Sequence, residues 1–215
     1  MTIARTLQGL TGKVAALSLT LVCGIFATGA AALPPSAQDS VRGFYDVLLT
    51  TMKNARALGQ SGRYATLAPV VNNVFDVPFM ARLAVGAAWD ALSPAQQQQI
   101  VGAFGRYVSA TYADRFDGYS GEQLQVTGDE PYGNGVIVET KIVKAGQDPV
   151  TINYMMRQHE GAWQISDVYL DGTISQIATQ RSEFHSILAR YGVDGLISTL
   201  DRKANLLTSN AARSP

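Results

Sequence analysis

The chain has 215 residues, with 17 basic and 17 acidic side chains, 47% hydrophobic residues and one cysteine. No run of like charge occurs, which excludes the clustered Lys and Arg that give nucleic-acid binders their affinity and the polybasic segments that hold proteins on anionic membranes. Any dealings with a membrane must therefore go through apolar surface.

Residues 1–32 read as an export signal. Arg5 and Lys13 give a positive start, Val14 to Ala27 form an apolar run, and Ala30, Ala31 and Ala32 place small residues ahead of Leu33-Pro34-Pro35. That order predicts a secretory signal peptide cleaved after Ala32, and so an exported protein. The run is shorter than the ~20 apolar residues of a membrane span. Cys23 lies inside it and follows Val22, whereas a lipoprotein signal wants a small residue there. Without the signal no cysteine remains, so disulfides, thiolate nucleophiles and thiolate metal sites are all excluded. Over residues 33–215, 15 basic residues face 17 acidic, a balance of −2. That span predicts one domain able to bury a large core.

A helical half comes first. Val41, Phe44, Tyr45, Leu48, Leu49 and Met52 form one apolar stripe, which predicts a helix from Ser36 to Leu58. Gly59 to Gly62 break it, and a shorter helix is expected over Tyr64 to Val74. Asp76, with Pro78 in the first turn, caps a third stretch that ends at Gly86. Ser93-Pro94-Ala95-Gln96 is a capping box, and opens a helix whose buried face runs Ile100, Val101, Phe104, Tyr107, Val108, Thr111 and Tyr112 before Gly118 closes it.

The apolar period then switches from helical to alternating. Strands are expected at Gln123 to Thr127, Val136 to Val143, Val150 to Arg157 and Trp163 to Val168, with Glu160-Gly161 as a hairpin turn. The short links favour an antiparallel meander. On the last strand Trp163, Ile165 and Asp167 are expected to share a face. Asp171-Gly172 ends the sheet. Ile174, Ile177, Ala178, Phe184, Ile187, Leu188 and Tyr191 then make a helical stripe closed by Gly192, followed by a short helix over Val193 to Lys203 and a frayed last dozen residues. The fold class is α+β: a twisted antiparallel sheet of about four strands forms a cone of the NTF2-like kind, with helices gathered on one face. Its concave side is a natural place for an apolar cavity.

Catalytic signatures are missing. His159 sits beside a turn and His185 beside a helix stripe, and no His or carboxylate pair has the helical spacing of a zinc site. Gly118-Tyr119-Ser120-Gly121-Glu122 lacks the final glycine of a nucleophile elbow and leaves a helix rather than a strand. Asp167 on an apolar strand face offers a general base if it enters the cavity, since burial raises a carboxylate's pKa. Arg181 interrupts the apolar stripe after the sheet. It calls for a salt bridge with Asp167, Asp171 or Glu183, or for a phosphate at a pocket mouth. The apolar side chains to be housed are Phe75, Phe79, Leu83, Trp89, Phe104, Tyr107 and Tyr112 from the helices, Val138, Ile142, Tyr154 and Met156 from the strands, and Ile174 and Ile177 after the sheet. Periodicity alone does not distinguish a filled core from a lined cavity.

Several stretches carry a family resemblance through their order and spacing. They are Phe79-Met80-Ala81-Arg82-Leu83-Ala84-Val85-Gly86 with Trp89, Phe104 through Tyr112, Tyr119-Ser120-Gly121-Glu122, Trp163-Gln164-Ile165-Ser166-Asp167-Val168, Asp171-Gly172-Thr173-Ile174-Ser175, Arg181-Ser182-Glu183-Phe184, and Tyr191 through Ile197. Over Val41 to Lys203 the chain resembles the MlaC, or toluene-tolerance, family of periplasmic phospholipid-binding proteins, including its hopanoid-associated branch. Thr173 stands where that family more often has valine. The resemblance implies a lipid carrier with no metal, no cofactor and no covalent chemistry, and a monomer is expected. Its partners would be an inner-membrane ABC transporter complex and an outer-membrane lipoprotein complex, in the upkeep of outer-membrane lipid asymmetry. It implies Phe79, Leu83, Tyr107, Tyr154 and Ile174 as lining residues. Two other readings stand beside the carrier: an enzyme of the same fold with Asp167 as base toward an apolar substrate, and an interaction module whose apolar residues fill a core.

Overall fold

A computed structural model describes residues 35–209; the expected signal peptide, its cleavage after Ala32, Cys23 and residues 210–215 lie outside them. The described residues form an α+β unit with the expected order of helices, sheet and helix. Helix α1 (Ala37–Lys53) opens on a capping box between Ser36 and Asp39. It buries Val41, Phe44, Tyr45, Leu48 and Met52 as its stripe requires, but stops at Asn54 rather than at Leu58. Helix α2 (Ala55–Val74) follows directly and carries its break at Gly59, whose φ of 59° is the left-handed region that glycine tolerates best. Asp76 caps α3 (Val77–Val85), a 3-10 segment covers Gly86–Ala91, and Ser93 and Gln96 cap α4 (Pro94–Arg115) reciprocally.

The sheet is an antiparallel meander in sequence order: β1 (Gln123–Tyr132), β2 (Gly135–Val143), β3 (Val150–His159), β4 (Ala162–Leu170) and β5 (Ile174–Ser175). The first strand runs past the expected Thr127 because Gly133-Asn134 close a tight hairpin onto Gly135. Gly135 has no alternative: a Cβ there would stand 2.1 Å from the Met156 carbonyl oxygen of β3. The fifth strand is two residues long and takes Ile174 out of the helix expected to begin there. Helix α5 (Gln176–Ser209) starts after it and is broken at Gly192, φ 67°, where the sequence places a stop. The second half of α5 is longer than its expected end at Lys203. Leu196, Leu200 and Ala204 are buried along one stripe, and the Gln60 side-chain amide donates to the Leu207 carbonyl at 2.8 Å, so residues 204–209 are held rather than frayed.

The α2–α3 corner is fastened to the sheet at one residue. The Asp76 amide donates to the Ile165 carbonyl of β4 at 2.9 Å, its Oδ1 accepts from the Phe79 amide at 3.1 Å, and its Oδ2 takes an Arg157 Nη1 of β3 at 2.5 Å. Asp76 is only 2% exposed. Buried charge of this kind is tolerated only when every lone pair is used.

A second polar cluster sits in the core where α1 faces β2 and β3. Thr140 Oγ1 donates to the Ile152 carbonyl, so the Tyr45 hydroxyl must be the donor in its 2.5 Å bond to Thr140. Beside it the Tyr154 hydroxyl is fully buried and has no hydrogen-bond partner in good geometry. Burial raises the pKa of all three phenols above the usual tyrosine value, so they stay neutral.

Two outcomes follow for urea unfolding. Asp76→Ala should cost about 3 kcal/mol, because it removes a helix cap and strands Arg157. Tyr154→Phe should leave stability unchanged or raise it by about 1 kcal/mol, while Tyr45→Phe should lower it by about 1 kcal/mol, since only the second removes a bond that is made.

Candidate functional site

The concave face of the sheet and the helices over it do not close completely. Between them lies a cavity of about 320 Å³. One wall is a continuous stripe of α4: Phe104, Tyr107, Val108, Thr111, Tyr112 and Arg115, at alternating steps of three, one and three residues, with Phe116 just beyond. Helix α5 adds Gln176, Ile177 and Gln180. The sheet contributes Ile142 from β2, Ile152 from β3, and Val168 and Leu170 from β4, while Phe75 and Met80 come from the corner held by Asp76. Phe75 meets Tyr112 edge-on at 5.3 Å, and Tyr112 stacks on Phe116 at 5.7 Å, so the aromatic wall is braced from within.

Six of the expected lining residues stand on this wall: Phe75, Phe104, Tyr107, Tyr112, Ile142 and Ile177. Val138, Tyr154 and Met156 share the inner sheet face but are 0% exposed in the packed core and off the cavity wall, with Tyr154 edge-on to Phe44 and Tyr45 of α1. The remaining five lie off the wall. Phe79 and Leu83 belong to α3, whose buried stripe is Val77, Met80, Ala81, Ala84 and Val85; that phase turns Phe79 onto Arg157, 4.1 Å from its ring centre, and leaves Leu83 exposed. Apolar residues surround α3, so its sequence does not reveal which face is inside. Trp89 is half-buried in the 3-10 segment, where its carbonyl accepts from the Gln97 side chain at 3.1 Å. Ile174 is 51% exposed because it is on β5 and outside the helical phase counted from it. Arg181 lies over Gly86, with Nε 3.0 Å from where a Cβ would sit, so glycine is needed beneath it. None of its three expected carboxylate partners pairs with it among the described residues, and Glu183 pairs with Lys203 instead.

Asp167 does not share a face with Ile165. A β-bulge places Ile165 opposite Met156 and Asp167 opposite Met155, so Ser166 is an extra residue and alternation slips by one. The Ser166 hydroxyl donates to the Met155 carbonyl at 3.1 Å and pins the bulge. Val168 and Leu170 turn inward in consequence. The Asp167 carboxylate faces away, where it accepts from the adjacent Val168 amide at 2.7 Å, and holds the start of α5 by accepting from the Ser175 hydroxyl at 2.5 Å and the Ile177 amide at 3.0 Å.

The wall residues that sequence reasoning missed fall into two groups. Val108, Thr111, Arg115 and Phe116 were legible, since they continue the stripe from Phe104, and so was Ile152, which alternates with Tyr154 on β3. Met80, Val168, Leu170, Gln176 and Gln180 were not, because their phase is set by the α3 cap, the bulge and the late start of α5. A larger hollow of about 970 Å³ opens between α4 and the second half of α5, but the Arg106–Asp201 pair at 2.6 Å, Gln98, Gln99 and Arg202 line it, and it is wide to solvent. The smaller cavity is the more sheltered and the more apolar of the two and is the candidate site. Among the described residues no His, Cys, Asp and Glu gather in threes to hold a metal, and no helix is long and apolar enough to cross a membrane.

The fold has a solved counterpart. The phospholipid-binding protein from Ralstonia solanacearum, solved in complex with a phospholipid, superposes with a TM-score of 0.71 over 81% of this chain and 100% of that one, at 23% identity. A family model described as MlaC protein matches residues 43–202, from α1 through the second half of α5 and so across every wall of the cavity. With that match spanning most of its length, the chain belongs to the MlaC family.

Proposed function

We propose that this protein is a periplasmic lipid carrier that holds the apolar part of a phospholipid or hopanoid in the cavity beneath α4 and α5, and shuttles it between an inner-membrane ABC transporter complex and an outer-membrane lipoprotein complex. The observation that carries the reading is a predominantly apolar cavity beneath α4 and α5 in a fold of this family. Its support includes the phospholipid held by the Ralstonia solanacearum protein. Export through the signal ending at Ala32, a monomeric state and the two membrane partners belong to the same proposal.

The size of the void fits a hydrocarbon chain. At about 30 Å³ for a water-sized group, 320 Å³ accommodates roughly ten methylenes. Each buried methylene is worth ~0.8 kcal/mol, so filling the void contributes on the order of 8 kcal/mol before the chain's lost freedom is counted. Affinity of that order rules out rapid escape into water. Transfer must run from one apolar site to another, while the carrier is docked on a membrane complex.

The placement of Asp167 favours a carrier over an enzyme. Its carboxylate accepts three hydrogen bonds, two of them at the α5 start, and is not on the cavity wall. The filled-core module is disfavoured by the void itself.

Organic extraction of the protein purified from a periplasm should release near-stoichiometric lipid, identified by mass spectrometry. Val108→Trp, which adds bulk to the α4 wall, should keep the fold by circular dichroism and lower the bound lipid about tenfold, the equivalent of two displaced methylenes. Protein that emerges empty and stays empty when offered vesicles would overturn the proposal.

A further inference from the structure

We infer that Arg115 and Gln180 form a headgroup ledge on the cavity wall, which takes a lipid phosphodiester whose headgroup carries a hydrogen-bond donor, such as ethanolamine or glycerol. The inference rests on the carrier reading above.

The polar side chains of the wall are not scattered. Thr111 and Arg115 lie one turn apart at the end of α4, and Gln176 and Gln180 one turn apart at the start of α5; all the other wall residues are apolar or aromatic. Arg115 is the one charged residue on the wall among the described residues. It is exposed, whereas Phe104 at the other end of its stripe is buried, so the stripe runs from a dry interior to a wet rim. No carboxylate pairs with Arg115 among the described residues, so its guanidinium is not already spent on one.

Two of the other three polar groups are already engaged. The Thr111 hydroxyl donates to the Tyr107 carbonyl at 2.8 Å, and the Gln176 amide donates to the Ile174 carbonyl at 3.5 Å. Gln180 differs: its Oε1 is shielded from solvent and has no hydrogen-bond partner. A buried acceptor left unmade is costly unless a ligand brings the missing donor.

The two groups make complementary demands. A free guanidinium offers paired N–H donors that match phosphate oxygens. The amide oxygen cannot use a phosphodiester, which has no proton to give, and needs an O–H or N–H. Phosphatidylethanolamine and phosphatidylglycerol supply both features. Phosphatidylcholine supplies the phosphate alone, and diacylglycerol a hydroxyl alone.

Competition between these four lipids with identical acyl chains, loaded from mixed vesicles and counted by mass spectrometry, tests the assignment. The wild-type protein should prefer the ethanolamine and glycerol lipids over the choline lipid by about threefold to tenfold, the worth of one hydrogen bond. Gln180→Leu should abolish that preference. Arg115→Gln should lower all three phospholipids against diacylglycerol by a similar factor and leave their mutual ratios unchanged. Equal loading of choline and ethanolamine lipids by the wild type, or a ratio that survives Gln180→Leu, would overturn the ledge alone. No loading of any of the four would overturn the carrier reading and the ledge with it. Loss of the preference on adding glycerol 3-phosphate would mean that the ledge takes a free phosphoester, and would overturn its assignment to lipid.

Discussion

A single buried carboxylate aligns the helical layer with the sheet. Asp76 spends its amide on β4, one oxygen on the first turn of α3 and the other on Arg157 of β3. Three elements meet at one residue, and the geometry of each is fixed by a directional bond rather than by apolar packing, which tolerates sliding. The flanking Phe75 and nearby Met80 reach the cavity because of it. The corner matters all the more because the described residues contain no cysteine, so no covalent link holds sheet and helices together.

The void sets a tension within this frame. An unfilled apolar space forfeits the packing contacts that a filled core would make. The protein contains the cost by bracing the wall. Aromatic rings of α1, α2 and α4 lean edge-on against one another around Phe44, Phe75 and Tyr112, and hold the surface open without the freedom to collapse. Occupation by hydrocarbon replaces the missing contacts, so carrying a ligand and being stable are coupled.

Much of the architecture was legible in the sequence, for reasons that are local. Ser36 and Ser93 announce helix starts through capping boxes, the α4 stripe keeps its phase over many turns, and the inner face of β2 and β3 alternates without interruption from Val138 and Tyr154 to Ile142 and Ile152. Gly59 and Gly192 mark breaks that the backbone obeys through positive φ. The missing parts depended on long-range geometry. Short α3 is apolar nearly all round, so Phe79 and Met80 were interchangeable until Asp76 fixed the rotation. Ile174 looked like the first rung of a helical stripe until pairing with Leu170 drew it into the sheet. Arg181 looked like an interruption of a buried stripe, and is instead a flat side chain laid over a glycine. Whether apolar residues fill or surround a space is decided by how far apart the elements stand, and no spacing in the chain records that distance.

The bulge at Ser166 carries a consequence for how relatives of this chain should be aligned. The nine residues of β4 contain two superimposed patterns, one presenting Val168 and Leu170 inward and the other presenting Asp167 and Tyr169. A homologue one residue shorter at this point keeps the greasy pattern on a straight strand, whereas a homologue of equal length that irons out the kink inverts it and admits an acid and a phenol. Gap placement at this serine therefore separates chains that host oil from chains that host a proton acceptor, even where their residue composition is the same.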